Sequence, residues 1–421
     1  MRILLLTHYY HPELGPPQLR WSALVRDFVA AGHEVHVVAP PPHYPSGKAI
    51  GAAEAHDVGG THLGQHGETV HRVRWREHDG SALTTLVDQC LSAADGVLTS
   101  WRRRRQIAPD VVVSTVPALP TMGAGFLASR LLRVPWVLEM RDAWPDLASD
   151  ARNPGRALKQ QVRWYAVGAA ARGVTFLQRR ADVVVTTTDS FTQTLVQRGL
   201  RRVSTVRNAH HPVPGLQEPG STERRGWAPG DPLHVVYVGT VGRAQDLETA
   251  VRALALARAA GADVRMRVLG TGARLPLVRS LVAELGAPVE LLGHVPRSEI
   301  YAHYQWADTL LVSLRDWKGL HKAVPSKLYE ALALGLHVSG MVAGETADII
   351  EATGAGFAVA PRDEAALAEQ WVALTRTGTH PDRDRMRAWA AEHASEAGTG
   401  DTYLALLRSL VPAPRHQAAA R

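Results

Sequence analysis

The chain has 421 residues, 45% of them hydrophobic, enough for two or three domains with cores of their own. Its one cysteine, Cys90, excludes a disulfide framework and a thiolate metal cluster and suits a reducing cytoplasm. A net charge of +7 suits nucleic acid, anionic lipid and a phosphorylated small molecule alike, and the arginines are scattered among alanines, so charge by itself does not argue for nucleic acid.

The opening MRILLLTHYYHPE has a short apolar run that ends in His and Tyr without a small-residue cleavage site, so it reads as a buried strand. No stretch reaches the roughly 18 apolar residues of a membrane span. Ile3–Leu6 is a continuous apolar run, as in a strand covered on both faces. A proline-rich loop with Gly15 follows, and then Leu19, Leu24, Phe28 and Val29 recur at helical spacing over Leu19–Ala31. Gly32 stops that helix, and Glu34–Ala39 is the next strand. Such a β-loop-α-β unit implies a parallel sheet whose ligands approach the carboxyl ends of the strands.

Pro40–Gly47 is a second loop at such an end, and the polar, Gly- and His-rich Gly51–Gly67 reads as a flexible excursion. Val70–Trp75, Asp110–Ser114, Trp136–Glu139, Asp182–Thr187 and Val203–Val206 read as strands. Ala82–Gln106 reads as a helix ending in Trp101 and the run Arg102–Arg105. A small-residue helix spans Ala118–Leu132, and Asp189 or Ser190 caps another. The Pro-, Gly- and charge-rich residues 209–232 read as a connection between domains 1–208 and 233–383. The second domain alternates again, with strands at Leu233–Val238, Val264–Leu269, Val289–Leu292, Thr309–Val312, His337–Gly340 and Phe357–Val359. Residues 384–411 read as one or two helices, and 412–421 as a disordered tail.

Four stretches can carry chemistry. In YVGTVGRAQDLETA, Gly239 and Gly242 let the backbone approach a ligand, and Arg243 stands where the loop meets a helix. It binds a diphosphate with the loop amides, or it is a solvated arginine on a tight turn. Gly270 and Gly272 of VLGTGA repeat the form and suit a tight turn bordering a base or ribose. Arg315, Lys318, Lys322 and Lys327 crowd the approach to the helix VPSKLYEALALG, where Pro325 suits the first turn and Ser326 can cap. A helix N-terminus attracts anions, and a lysine there needs an anion to explain it. Lys327 and Glu330 lie side by side, and Leu328 sits on the apolar face. In LEMRDAWPD, Arg141 and Asp142 form either a structural pair or a polar cluster facing a cleft. His8, His11 and His43 lie on strand-end loops suited to substrate contact. No H-E-x-x-H or C-x-x-C spacing points to a metal, and P-loop and nucleophile-elbow signatures are absent.

With these motifs in order, THYYHPELGPPQLR, GHEVHVVAPPPHYPSG, EMRDAWPD, YVGTVGRAQDLETA, VLGTGA, VPSKLYEALALG and GAGFAVAPRDEAALA, the chain resembles the family 4 retaining glycosyltransferases of GT-B fold. It is most similar to their bacterial fucosaminyl and amino-sugar branch of surface-polysaccharide assembly. The resemblance implies two Rossmann-like parallel-sheet domains facing a central cleft. It implies a nucleoside-diphosphate sugar, a UDP-sugar foremost, held mainly by the C-terminal domain, and a hydroxyl acceptor held by the N-terminal one. It also implies that the last helix crosses back to the first domain.

By position, Glu330 matches the second glutamate of the family's E-x7-E motif, on the nucleotide ribose, and Ser326 and Lys327 match the phosphate-facing turn before it, with Leu328 a further candidate for donor binding. Arg243 matches a basic residue for the diphosphate, and Gly15 the glycine loop over the phosphates. Two departures stand out: Lys322 occupies the place of the first glutamate, and Arg141 followed by Asp142 replaces a common histidine. The chemistry implied needs no metal and no cofactor beyond the donor, with Arg243, Lys327, Arg141 and Asp142 as the catalytic candidates.

The acceptor expected is a lipid-linked glycan, polyprenyl-linked in one form, or a small natural product. Arg102–Arg105 would then touch the cytoplasmic face of a membrane. The alternatives are a nucleotide-sugar 2-epimerase on the same fold, whose acid and histidine pattern is missing, and a non-catalytic binder of lipid or nucleic acid. Nucleic acid is not expected, because aromatics interleaved with basic residues are lacking.

Overall fold

The computed structural model describes residues 1–421 apart from 14, 45, 52–56, 147–157, 211–229 and 412–421. Most of the expected connection and the whole expected tail therefore lie outside the described residues. The chain divides into two compact units, Met1–Arg207 joined by the segment from Glu396 on, and Asn208–Ser395.

The first unit is built on an eight-stranded sheet. Its strands are β1 (Arg2–Leu6), β2 (Glu34–Ala39), β3 (Thr61–Leu63), β4 (Thr69–Arg72), β5 (Val111–Val116), β6 (Trp136–Met140), β7 (Val183–Thr186) and β8 (Val203–Thr205). They run in the order β3-β4-β2-β1-β5-β6-β7-β8, and every pairing is parallel except β3 with β4. Alternate residues of β1 feed two cores. Ile3 and Leu5 join Trp21 and Phe28, while Leu4 and Leu6 join Met122 and Leu138. A strand buried on both faces has no polar side to show, which is why its sequence is an unbroken apolar run.

The helices α1 (Pro16–Ala30), α2 (Ala82–Arg102) and the later α3 (Glu396–Leu410) belong to this unit. α3 joins this unit by packing on α1. Tyr403 meets Trp21 and Phe28 with ring centroids 5.7 Å apart in each pair, and Arg26 is paired with Glu396 at 2.9 Å. The expected C-terminal segment thus divides. The helix Arg383–His393 stays with the second unit, because Met386 and Ala390 are buried in its core and Trp389 stacks on Tyr329.

The second unit holds a six-stranded, all-parallel sheet: β9 (Leu233–Val238), β10 (Val264–Leu269), β11 (Val289–Gly293), β12 (Thr309–Ser313), β13 (His337–Met341) and β14 (Gly356–Val359). The order is β11-β10-β9-β12-β13-β14. Strands β9, β12 and β13 are buried throughout, β10 exposes Arg265, and the edge strands β11 and β14 are half-covered. Strands β9 and β12 run into loops that begin at Gly239 and Leu314.

Candidate functional site

The strand order of the second unit reverses between β9 and β12. In open α/β sheets that is where loops diverge and leave room for a ligand at the carboxyl ends. The two loops there are tied together. The Arg315 amide donates to the Ala244 carbonyl at 2.8 Å, and the Ser313 hydroxyl donates to the Gln245 carbonyl. The Arg315 guanidinium holds Asp246 Oδ1 through Nη2 at 2.7 Å and Nε at 3.1 Å. Arg315 is therefore spent on the scaffold. Arg243 stands exposed on the turn and has no hydrogen bond or ion pair among the described residues.

The glycines of the next loop have a different task from the one their pattern suggests. Gly270 and Gly272 have φ of 150° and 156°. A Cβ on Gly270 would lie 1.7 Å from the Gly239 carbonyl oxygen, and one on Gly272 would lie 2.3 Å from that of Val241. The amides of Gly239 and Val241 donate to Leu269 and Thr271 at 2.9 Å. These glycines let two loops lie backbone to backbone, and the Gly239 and Val241 amides are committed to that contact. Gly242 sits beside Gln245, whose Oε1 would be 2.8 Å from an added Cβ.

The helix α4 (Ser326–Leu334) starts one residue later than its sequence suggests. Pro325 is the cap, in extended conformation, and Ser326 is the first helical residue and caps nothing. The Leu328 amide is bonded to the Pro325 carbonyl at 3.0 Å, and its side chain is fully buried in the core. Leu328 thus packs the helix onto the sheet and offers a ligand nothing, contrary to the expectation for it. Its apolar face is the core face, and Ser326 and Lys327, both half-buried, are the residues of this turn left open to solvent.

Lys327 Nζ lies 3.0 and 3.1 Å from the two Glu330 carboxylate oxygens. From the other side the Tyr304 hydroxyl donates to Glu330 Oε2 at 2.7 Å. Tyr304 belongs to the helix Arg297–Trp306. Burial, then the Glu330 charge, raises its hydroxyl well above the usual range, so it stays a donor. Lys322 ends the short turn Leu320–Lys322, and Asp316 on the same loop is paired with His321 at 2.8 Å.

In the first unit Gly15 is extended at the start of α1, and a Cβ there would meet Gln18 Oε1 at 2.6 Å. Glu13, buried beside it, accepts from the His43 and Tyr44 amides at 2.6 and 2.8 Å and from the Gln18 side chain at 3.0 Å. The Gly15 turn is thereby tied to the loop after β2. Arg141 and Asp142 follow β6 directly. The Arg141 Nε and Nη1 atoms are buried without a hydrogen-bond partner. Burial pushes this guanidinium down to about 10 against the pull of Glu139 and Asp142. Burial also raises the Asp142 carboxyl, with Arg141 opposing. No hydrogen bond joins the two side chains among the described residues, so they are not a closed structural pair. The carboxylate that is satisfied here is Glu139, held by Arg20 at 3.3 Å and by the Thr115 hydroxyl at 3.2 Å.

Residues 17–209 match the family model described as Glycosyl transferase 4-like domain, and residues 232–377 match the one described as Glycosyl transferases group 1. The chain is a glycosyltransferase of the family 4 type. A putative colanic acid biosynthesis glycosyltransferase, WcaL, of Salmonella typhimurium is 31% identical to this glycosyltransferase over 158 residues. That match covers 37% of this chain and 39% of that protein. WcaL of Escherichia coli is 30% identical over 155 residues, 36% of this chain and 38% of its own length. The chain thus spans about two fifths of the curated relatives it matches.

Solved structures align with the glycosyltransferase over nearly its full length. HepE of Anabaena in complex with UDP and glucose has a TM-score of 0.65 at 16% identity, covering 97% of this chain and 100% of that one. Sucrose-phosphate synthase of Thermosynechococcus elongatus has 0.68 at 14%, covering 97% and 99%. WaaG, described as a glycosyltransferase of lipopolysaccharide biosynthesis, has 0.64 at 16%, covering 96% and 99%. The fold is GT-B. The contacts of Tyr304, Arg20 and Glu139 are not legible in the sequence, since each is made with a partner 26 to 119 positions away.

Proposed function

We propose that this glycosyltransferase moves a sugar from a nucleoside-diphosphate sugar to a hydroxyl acceptor with retention at the anomeric carbon and without a metal at the diphosphate. The observation that carries the reading is the Lys327–Glu330–Tyr304 cluster at the start of α4, next to the reversal point of the sheet. An arriving diphosphate competes with Glu330 for Lys327. A half-exposed ion pair three residues apart on a helix contributes about 0.3–0.5 kcal/mol. A charged hydrogen bond to phosphate contributes about 1.5–3 kcal/mol. The exchange therefore favours the ligand. It leaves Glu330 aimed by Tyr304 and able to accept from a ribose hydroxyl.

Arg243, Lys327, Ser326 and the positive dipole end of α4 then meet the negative charge that grows on the departing diphosphate. The glycines Gly239, Gly242, Gly270 and Gly272 hold the loops that carry this charge, and Gly15 shapes the corresponding turn of the first unit. The departing oxygen can take the acceptor's proton, so no side-chain nucleophile is required. We assign Arg141 and Asp142 to the acceptor; the two unpartnered guanidinium nitrogens of Arg141 suit a substrate oxygen. We choose UDP as the nucleotide, in keeping with the UDP named for the HepE structures. The fucosaminyl-type branch is our choice of relative for the reaction.

For the acceptor we favour a lipid-linked glycan over a free small molecule. Helix α2 exposes Leu83, Leu86, Leu91, Leu98 and Trp101, and Arg102, Arg104 and Arg105 follow on the exposed surface. Arg103 donates to the Gly59 carbonyl and Arg104 lies over the Trp101 ring. No helix among the described residues is long and apolar enough to cross a membrane. An apolar stripe ending in arginines is suited to lying on an anionic surface, at about 1 kcal/mol per basic residue.

The deciding experiment is a thermal-shift panel of UDP, GDP, dTDP and ADP and their sugars. Stabilisation by one nucleotide without added Mg²⁺ or Mn²⁺, followed by a retained anomer in the product, is the expected result. Indifference to all four nucleotides ends the proposal. For the acceptor class, flotation with phosphatidylglycerol vesicles should be weakened by Arg102→Glu with Arg105→Glu. Equal flotation of both proteins removes the membrane reading.

A further inference from the structure

Away from the donor loops, the first unit gathers a second set of polar side chains. His8 follows β1, His43 follows β2, and Asp88 lies in the second turn of α2. Because β1 and β2 are parallel neighbours, their carboxyl ends bring the two histidines together, and α2 delivers the carboxylate. His8 Nε2 is 3.2 Å from His43 Nε2 and 3.1 Å from Asp88 Oδ2, and His43 Nε2 is 3.5 Å from the same oxygen. All three residues are buried, at 4%, 1% and 0% exposure.

Hydrogen bonds alone leave this cluster short of protons. His43 Nδ1 is 2.7 Å from the Pro41 carbonyl, so its ring proton is on that side and Nε2 presents a lone pair. Asp88 Oδ2 is a second acceptor, and it has no hydrogen bond of good geometry. A single proton on His8 Nε2 cannot serve both acceptors. A cation placed between the three atoms satisfies all of them at once.

The spacing matches such a cation. Tetrahedral zinc bonds of about 2.0–2.1 Å put ligand atoms about 3.3 Å apart. The observed edges of 3.1, 3.2 and 3.5 Å bracket that value. Two imidazoles and one carboxylate suit zinc-class ions, whereas calcium and magnesium ask for six or more oxygens. The outer contacts are those a metal site needs to fix ring orientation. His43 Nδ1 is anchored on Pro41, Asp88 Oδ1 accepts from the Arg76 amide at 2.8 Å, and Trp75 stacks on His43 at 5.1 Å. His78 accepts the Gly80 amide on Nδ1 at 3.1 Å, which puts its proton on Nε2, 3.9 Å from Asp88 Oδ2. It can donate to a water or hydroxide in the fourth position.

We infer that His8, His43 and Asp88 form a binding site for one zinc-class divalent ion, which ties the loops after β1 and β2 to α2. The sequence reading sets a metal aside at these histidines on linear spacing. These ligands are dozens of residues apart and leave no such signature.

The test uses the full chain, stripped with a chelator and titrated with Zn²⁺ and then Co²⁺. One ion per chain is expected, with the intense visible bands of tetrahedral Co²⁺. The melting temperature should rise by about 5 °C at a metal concentration about 100-fold above Kd. His43→Gln and Asp88→Asn should lose binding and bands while melting like the stripped wild type, and the exposed His380→Gln should keep both. Wild type that binds no stoichiometric ion, or binds Co²⁺ with octahedral bands only, overturns the site. Undiminished binding by both folded variants does the same, since it assigns the metal to surface histidines. If either variant fails to fold, the Co²⁺ spectrum of the wild type decides alone.

Discussion

Replacing Lys327 by methionine separates a lysine that supports the fold from one that grips a ligand. The side chain is 27% exposed, and its nitrogen sits 3.0 Å from Glu330 Oε1. A pair that open to solvent is screened, so its loss should cost unit stability about 0.5 kcal/mol, since the methylene stem is kept. Glu330 also retains the Tyr304 hydroxyl at 2.7 Å. Against the diphosphate, one charged hydrogen bond of about 1.5–3 kcal/mol disappears, a loss of about 10- to 150-fold in affinity. Isothermal titration with UDP and urea unfolding followed by circular dichroism measure the two quantities on one preparation. A variant that binds UDP like the wild type but unfolds with about 2 kcal/mol less stability would refute the argument, and Lys327 would then be a structural residue.

Three further outcomes follow from the same geometry. Tyr304→Phe removes the buried donor to Glu330, so stability should fall by about 1.5–3 kcal/mol and UDP affinity should fall with it; loss of stability at unchanged affinity would divorce Tyr304 from the nucleotide. Arg141→Met removes two buried unpartnered nitrogens, so the ligand-free protein should gain about 1 kcal/mol while kcat/KM drops at least about 100-fold; a destabilised, fully active variant would contradict the placement of Arg141 at substrate. His71, pushed down to about 4 by burial with Arg103, His36 and His62 adding to it, is neutral in the fold and protonates more readily when unfolded. The unfolded chain then binds more protons between about pH 6.5 and 4, so stability should fall as pH drops through that window, and His71→Gln should flatten the slope. An unchanged slope in that variant would assign the acid sensitivity elsewhere.

The sheets were legible because their strands are buried on both faces and so are written as apolar runs, as in Leu233–Val238. Short, half-exposed β3 has no such run and is hidden in a polar stretch. The helix Leu158–Arg180 was missed because small and charged residues blur its period. In the loops after β9 and β10 the pattern marks turns that the structure holds together, but it does not tell what individual residues do there. Gly270 and Gly272 look like ligand glycines, because close approach to a phosphate and close approach to another backbone ask for the same missing Cβ. Leu328 shows the converse: its neighbours Ser326 and Lys327 are half-exposed while it faces the core. Tyr304 with Glu330, and His8 with His43 and Asp88, are products of topology, and local spacing cannot announce them.

The helix that begins at Glu396 returns to cover Trp21 and Phe28, and this has a consequence for synthesis. At about 5–20 residues per second, the ribosome needs about 10–40 s to make the 188 residues Asn208–Ser395 that intervene. Over that interval the nascent amino-terminal lobe displays two large rings with their lid still unmade, while the inserted lobe can finish on its own. Chaperone capture should therefore concentrate on the first helix of the growing polypeptide and end when the last one emerges.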